Sequence, residues 1–220
     1  MKAKPLTQEG LKLIACLTMF LDHMGFMFFP QNLWLRIIGR MAFPIYCFLL
    51  AEGAYYTKNP GQYALRLLIG LLLAEIPFDL ALFGRINFAH QSVMFTLLLA
   101  FLAIQALIHC SGPMRLLALI PIIAAELLRT DYGAMGVFMV VLFFITRNME
   151  EKGLLQAVGL LGLGFSVFNV SFIQPLAVLA MIPISLYSGE KASRSKALQW
   201  GFYLFYPAHL LILWLIAVFF

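Results

Sequence analysis

The sequence predicts an all-α protein: a polytopic transmembrane helical bundle of about nine spans, with the N-terminus in the cytoplasm and the C-terminus outside. Three observations carry this reading. The chain is 63% hydrophobic and only 11% charged, with a mean hydropathy of +0.93, whereas a globular chain is usually ~45–50% apolar. Apolar segments near the ~20-residue length that crosses a bilayer follow one another from end to end. Basic residues gather in alternate connections between those segments.

Taken in order, the first segment is Leu11–Phe29. Lys2 and Lys4 ahead of it imitate a signal peptide, but no small-residue cleavage site follows, so it is read as a retained span. It carries Asp22 and His23, and a charge at that depth costs about 2.5 to 3.5 kcal/mol on insertion scales. Leu33–Tyr56 follows with Arg36, Arg40 and Glu52, then Tyr63–Phe83 with Glu75 and Asp79. Pro44 and Pro77 each remove a backbone hydrogen bond inside a span and free a carbonyl. Ser92–His109, Arg115–Leu128, Tyr132–Thr146, Leu154–Phe168 and Phe172–Tyr187 come next, most of them short, and Gln199–Phe219 with His209 closes the chain.

The breaks have turn compositions: Asn59-Pro60-Gly61, Ser111-Gly112-Pro113, a charged run at 147–152 and Ser188-Gly189-Glu190-Lys191. With no long linker and no evident internal repeat, residues 1–220 form a single domain. Cys16, Cys47 and Cys110 lack metal-ligand spacing and read as small core residues, so neither a metal site nor a disulfide framework is expected.

Orientation follows from the basic residues. Lys2, Lys4, Lys12, Lys58, Arg66, Arg115, Arg147, Lys152, Lys191, Arg194 and Lys196 fall on one side, and only Arg85 and Arg129 on the other. Such a bias places the N-terminal side in the cytoplasm. It also accounts for the net charge of +5 without a nucleic-acid partner. At 1.5 Å per residue, Asp22 and His23 then lie roughly 16–18 Å into the first span. Arg36, Arg40, Glu75 and Asp79 fall in the outer half, His90, Glu126, Asp131 and Tyr132 near the outer surface, and His209 near the midplane. This depth map predicts a wet cavity opening outward.

Arg36 and Arg40 are four apart and share a helix face, so both need anions. Asp22, Glu75 and Asp79 are the candidates. Asp22 diverges from His23 by about 100°, which makes it a better partner for Arg40 than for its neighbour and leaves His23 free.

An ordered set of short motifs covers nearly the whole chain. It comprises Leu11-Lys12, Asp22-His23, Ile38-Gly39-Arg40-Met41-Ala42-Phe43-Pro44, Ala51-Glu52-Gly53-Ala54, Thr57, Tyr63, Arg66-Leu67-Leu68, Glu75-Ile76-Pro77-Phe78, Asp131-Tyr132-Gly133 and the run Phe202 to Leu210. In this the chain resembles the TraX family of membrane proteins, named for a pilin-acetylating protein. The resemblance implies a multi-pass acetyltransferase of a bacterial inner membrane. Its donor substrate would be acetyl-CoA, its environment membrane lipid, and its acceptor a protein N-terminus, glycan or peptide. It is similar in outline to larger acyltransferases that pass acyl groups across the bilayer.

The resemblance gives His23 a catalytic role, and a neutral imidazole can take a proton from an attacking amine or hydroxyl. The alternative is a histidine bonded inside the bundle. His209, at the same depth, would serve a second half-reaction or simply pack. Arg40 would stabilise developing negative charge, held by Asp22. Glu52, Thr57, Lys58, Tyr63 and Arg66, at the cytoplasmic mouth, are candidates for binding acetyl-CoA. Arg36, Glu75, Asp79, Asp131 and Tyr132 are candidates for the acceptor site. Tyr206 is a further one, although aromatic runs more often pack or anchor at the interface. The same buried charges would also serve a small-molecule or lipid transporter, or a non-enzymatic partner in envelope assembly.

Overall fold

The computed structural model describes residues 5–166, 172–190 and 195–219. Lys2, Lys4, Lys191, Arg194 and the end of the seventh segment at 167–168 lie outside the described residues. Among those described there is no β-strand, only two isolated bridges. The all-α expectation holds.

The helices follow the nine apolar segments. The first, α1 (Gln8–Phe28), starts on Thr7, whose hydroxyl accepts the Gly10 N–H at 3.3 Å. The second segment is two helices, α2 (Leu33–Gly39) and α3 (Ala42–Tyr56). Continuity was the expectation, and Pro44 is the reason it fails. Its ring would clash with the Arg40 carbonyl one turn earlier, so α2 stops and α3 restarts with Pro44 in its first turn, where no N–H is needed. Then α4 (Pro60–Phe83) starts on Asn59, which accepts the Gln62 N–H at 3.0 Å, and stops at the left-handed Gly84. It keeps Pro77 inside.

Next come α5 (Val93–His109), a 3₁₀ segment Gly112–Ala118 leading into α6 (Leu119–Leu127), α7 (Gly133–Thr146) and α8 (Lys152–Ser166). A second 3₁₀ segment, Gln174–Ala180, leads into α9 (Met181–Ser185), and α10 (Lys196–Phe219) ends the fold. The two 3₁₀ segments share a sequence pattern. Pro113, Leu117, Ala118, Ile120, Pro121 and Ile122 correspond to Pro175, Leu179, Ala180, Ile182, Pro183 and Ile184. The likeness is confined to these two short stretches.

Backbone bonds set which connections share an end. The Leu6 N–H donates to Leu186 O at 3.1 Å, and the Ser188 N–H donates to Leu6 O at 2.8 Å. At the opposite end the Gln91 N–H donates to Arg129 O at 3.1 Å. These ends match the alternation of basic residues.

This is a membrane protein by its surface as well as its composition. Leu13, Leu17, Leu72, Ile76, Ile120 and Leu127 are exposed, and such a coat suits hydrocarbon. By length and composition, three described helical segments suffice to cross a membrane: Gln8–Phe28, Leu33–Tyr56 (α2 and α3 together) and Ala197–Phe219. Between lipid-facing helices apolar burial gives no drive, so close contact of small residues matters more. Ala15, Ala51, Ala54, Ala74, Ala100 and Ala103 are accordingly buried where helices meet. Helix α10 packs on α4 and α1, and α1 packs on α2 and α3. That arrangement brings the first and last helices to one place.

Candidate active site

The place they meet is a cavity of about 1140 Å³. Its wall runs from Lys12, Glu52, Thr57, Arg66 and Glu190, near the N-terminal face, to Asp22, His23, Arg36, Arg40, Asp131 and Tyr132. Along α1 the eleven residues from Lys12 to His23 span about 16 Å.

The short helix α2 folds back on the end of α1 and delivers its arginines to Asp22. Arg36 Nη1 lies 2.9 Å from Asp22 Oδ2 and donates to the Asp22 carbonyl at 3.1 Å. Arg40 Nη2 also donates to Oδ2, and its Nη1 donates to Gln174 Oε1 at 3.3 Å. Pairing both guanidiniums on one buried carboxylate offsets much of the cost of placing them there. Gly39 permits it: a Cβ at that position would collide with the Asp22 carboxylate. Asp22 Oδ1 and Arg40 Nε are buried with no hydrogen-bond partner among the described residues.

His23 is not left free, contrary to expectation. Its Nδ1 lies 2.7 Å from His209 Nε2, and His209 Nδ1 lies 2.7 Å from the Phe205 carbonyl. The imidazole rings meet edge to edge, centroids 5.0 Å apart and 28° between planes, and the Phe205 ring is near-parallel to His209 at 4.9 Å. His209 does not line the cavity; it sits behind His23. Tyr206, 5% exposed, lines the cavity near both rings.

At the N-terminal face Thr57, Tyr63 and Arg66 line the cavity and Lys58 does not. Tyr63 stacks on Phe101 at 4.8 Å and carries the Arg66 guanidinium over its ring. Glu52 is held by Arg147, whose Nη2 donates at 3.1 Å. Arg147 itself lies over the Tyr55 ring at 3.5 Å.

Two predicted acceptor-site residues are placed elsewhere. Asp79 accepts the Asn87 N–H at 2.8 Å, and Glu75 accepts the Ser92 N–H at 3.1 Å. Neither lines the cavity. Both are spent on the backbone of the 84–92 connection, which otherwise has no helix to satisfy its donors. Asp131 and Tyr132 do line the cavity, with Tyr132 stacked on Phe43 at 3.6 Å. Asp131 Oδ1 also lies 3.7 Å from His90 Nε2. That carboxylate raises the His90 imidazole above its ordinary pKa, against the opposing effect of partial burial.

The sequence reading missed Gln174, Gly39 and Arg147. Gly39 had a signal, as the residue beside Arg40 in the 38–44 motif. Gln174 and Arg147 had none beyond their polarity, since each acts through a partner far away in the chain.

A family model described as TraX protein matches residues 7–217. The chain belongs to the TraX family. It is 32% identical over 229 aligned residues, 92% of each chain, to a protein of Dichelobacter nodosus named probable fimbrial assembly protein FimC, serogroup H1. A shorter match, 40% over 48 residues, covers 22% of this chain and 19% of an uncharacterized Rickettsia prowazekii (strain Madrid E) protein, RP591. No solved structure matches. The TraX model thus spans every residue of the cavity wall named above.

Proposed function

We propose that this TraX-family protein is an acetyltransferase of a bacterial inner membrane. It takes acetyl groups from acetyl-CoA on its N-terminal, cytoplasmic face and passes them to an amine or hydroxyl of an envelope acceptor. The observation that carries this is a single cavity shared by an imidazole, two arginines and a polar, aromatic mouth. Thr57, Tyr63 and Arg66 would receive the donor, while the acceptor would approach past Asp131 and Tyr132.

In the chemical step His23 takes the proton from the attacking amine or hydroxyl as that group bonds to the thioester carbonyl carbon. The carbonyl oxygen becomes an oxyanion, and Arg40, held by Asp22, faces the charge that develops there. The carbon–sulfur bond then breaks, and the proton on His23 passes to the departing thiolate. The FimC name points to fimbrial subunits or their neighbours as the class of acceptor.

The test uses purified protein in detergent with radiolabelled acetyl-CoA, reading acetyl transfer or thiol release. His23→Ala should lower the rate by about 10² to 10⁴, the usual contribution of a positioned base. Equal rates in wild type and variant would remove the catalytic assignment. An assembly partner with purely structural charges would release no thiol at all.

A further inference from the structure

The contact between the two histidines fixes where protons sit, not only where rings sit. A carbonyl oxygen only accepts, so His209 Nδ1, 2.7 Å from Phe205 O, carries a proton. The contact of His209 Nε2 with His23 Nδ1 has room for one proton. Two guanidiniums already flank Asp22, the residue before His23, so the pair is assigned as neutral. A neutral His209 protonated at Nδ1 has a bare Nε2, which accepts. His23 therefore donates from Nδ1, and its Nε2 bears the lone pair.

Among the described residues no hydrogen bond engages that Nε2, and the ring lines the cavity. We infer that His209 is a positioning residue that locks His23 in its Nδ1–H tautomer, leaving Nε2 as the basic atom open to the cavity. This rests on the acetyltransferase reading for its chemical purpose, whereas the tautomer follows from the contacts and the neutrality of the pair.

The arrangement does two things. Without His209 the two neutral tautomers of His23 would be close in energy, and one of them hides the lone pair on the cavity side. After Nε2 takes a proton, His23 becomes an imidazolium whose Nδ1–H still points at His209. That charge-assisted bond is stronger than the neutral one, and the Phe205 carbonyl extends the polarisation one step further. His209, buried at 4% exposure and off the cavity wall, acts in this scheme through His23.

The deciding experiment is magic-angle-spinning NMR of proteoliposomes holding the full chain labelled with ¹⁵N-histidine. Ring-nitrogen shifts separate N–H from bare nitrogen, and only four histidines contribute. A His23→Gln sample identifies the His23 signals. The wild type should show His23 protonated at Nδ1 and bare at Nε2. His209→Leu should abolish that preference, while His209→Gln, whose side-chain oxygen still accepts, should restore it. If transfer is measurable, kcat should fall about 10²-fold in His209→Leu, recover in part in His209→Gln, and leave KM for acetyl-CoA unchanged.

A wild-type His23 protonated at Nε2, or the same tautomer in wild type and His209→Leu, would overturn the inference. Should His209→Leu fail to fold, the wild-type spectrum alone decides. If no sample transfers acetyl groups, the acetyltransferase reading falls while the tautomer result still stands or fails separately.

Discussion

The bundle holds two sets of ionisable groups that look alike in the sequence and are used in opposite ways. In the inner set, Asp22 receives the side chains of Arg36 and Arg40 beside the cavity that His23 lines. In the outer set, Glu75 and Asp79 receive backbone N–H groups of the 84–92 connection and do not line that cavity. A carboxylate bonded to side chains that line a cavity leaves those side chains facing a ligand. One bonded to a loop backbone becomes part of the scaffold. The nature of the partner, more than depth in the bundle, separates a chemical group from a structural one here.

The largest expected effect on stability comes from unpairing the inner set. Asp22→Ala leaves the largely buried Arg40 and the half-buried Arg36 without their carboxylate and should cost about 3 kcal/mol, the lower end of what broken buried pairs cost. Thermal unfolding in detergent reads it. Adding Arg40→Met to Asp22→Ala should recover part of the loss, because the two sites share one interaction. Strict additivity would show that the pair is not coupled.

Next in size is Gly39→Ala. The added Cβ must push the Asp22 carboxylate away, so a loss of about 1–3 kcal/mol, typical of overpacking, is expected. Acetyl transfer should fall with it, since Arg40 would lose its anchor. A stable and fully active Gly39→Ala would break the link between close packing and the site.

The outer set should respond in the contrary manner. Asp79→Ala removes an acceptor for the Asn87 N–H and should cost about 1–3 kcal/mol. Turnover per folded molecule should not change. A selective loss of transfer would return Asp79 to the acceptor site and erase the distinction between the two sets.

The smallest effect is a pH dependence. The folded-state pKa of His90 is raised by Asp131, so its contribution is complete below the ordinary histidine value near ~6.5. It is lost as pH rises through the raised folded value. Wild-type melting temperature should therefore decline slightly over that window, and His90→Gln should flatten the decline.

Much of this was legible in the sequence. Pattern length and turn residues marked the helical segments, because the lipid requires long apolar runs and the breaks require Pro and Gly. The α2–α3 break was also present in Pro44, through its clash with the Arg40 carbonyl. The Asp22–Arg40 pair could be foreseen from matching depth. The partner of His23 could be foreseen only as a coincidence of depth, because 186 positions separate it from His209. The roles of Glu75 and Asp79 were hidden for a different reason. Their partners are backbone groups in a connection whose shape no periodicity encodes.

Sidedness offers the most direct test of a cavity that joins the N-terminal face to His23. Oriented proteoliposomes would receive acetyl-CoA on one face at a time, and thiol release would be measured for wild type and His23→Ala. The expected result is release only when donor meets the face bearing Thr57 and Arg66, and its loss in the variant. Release from the Asp131 face, or from both faces with His23→Ala as active as wild type, would contradict the account.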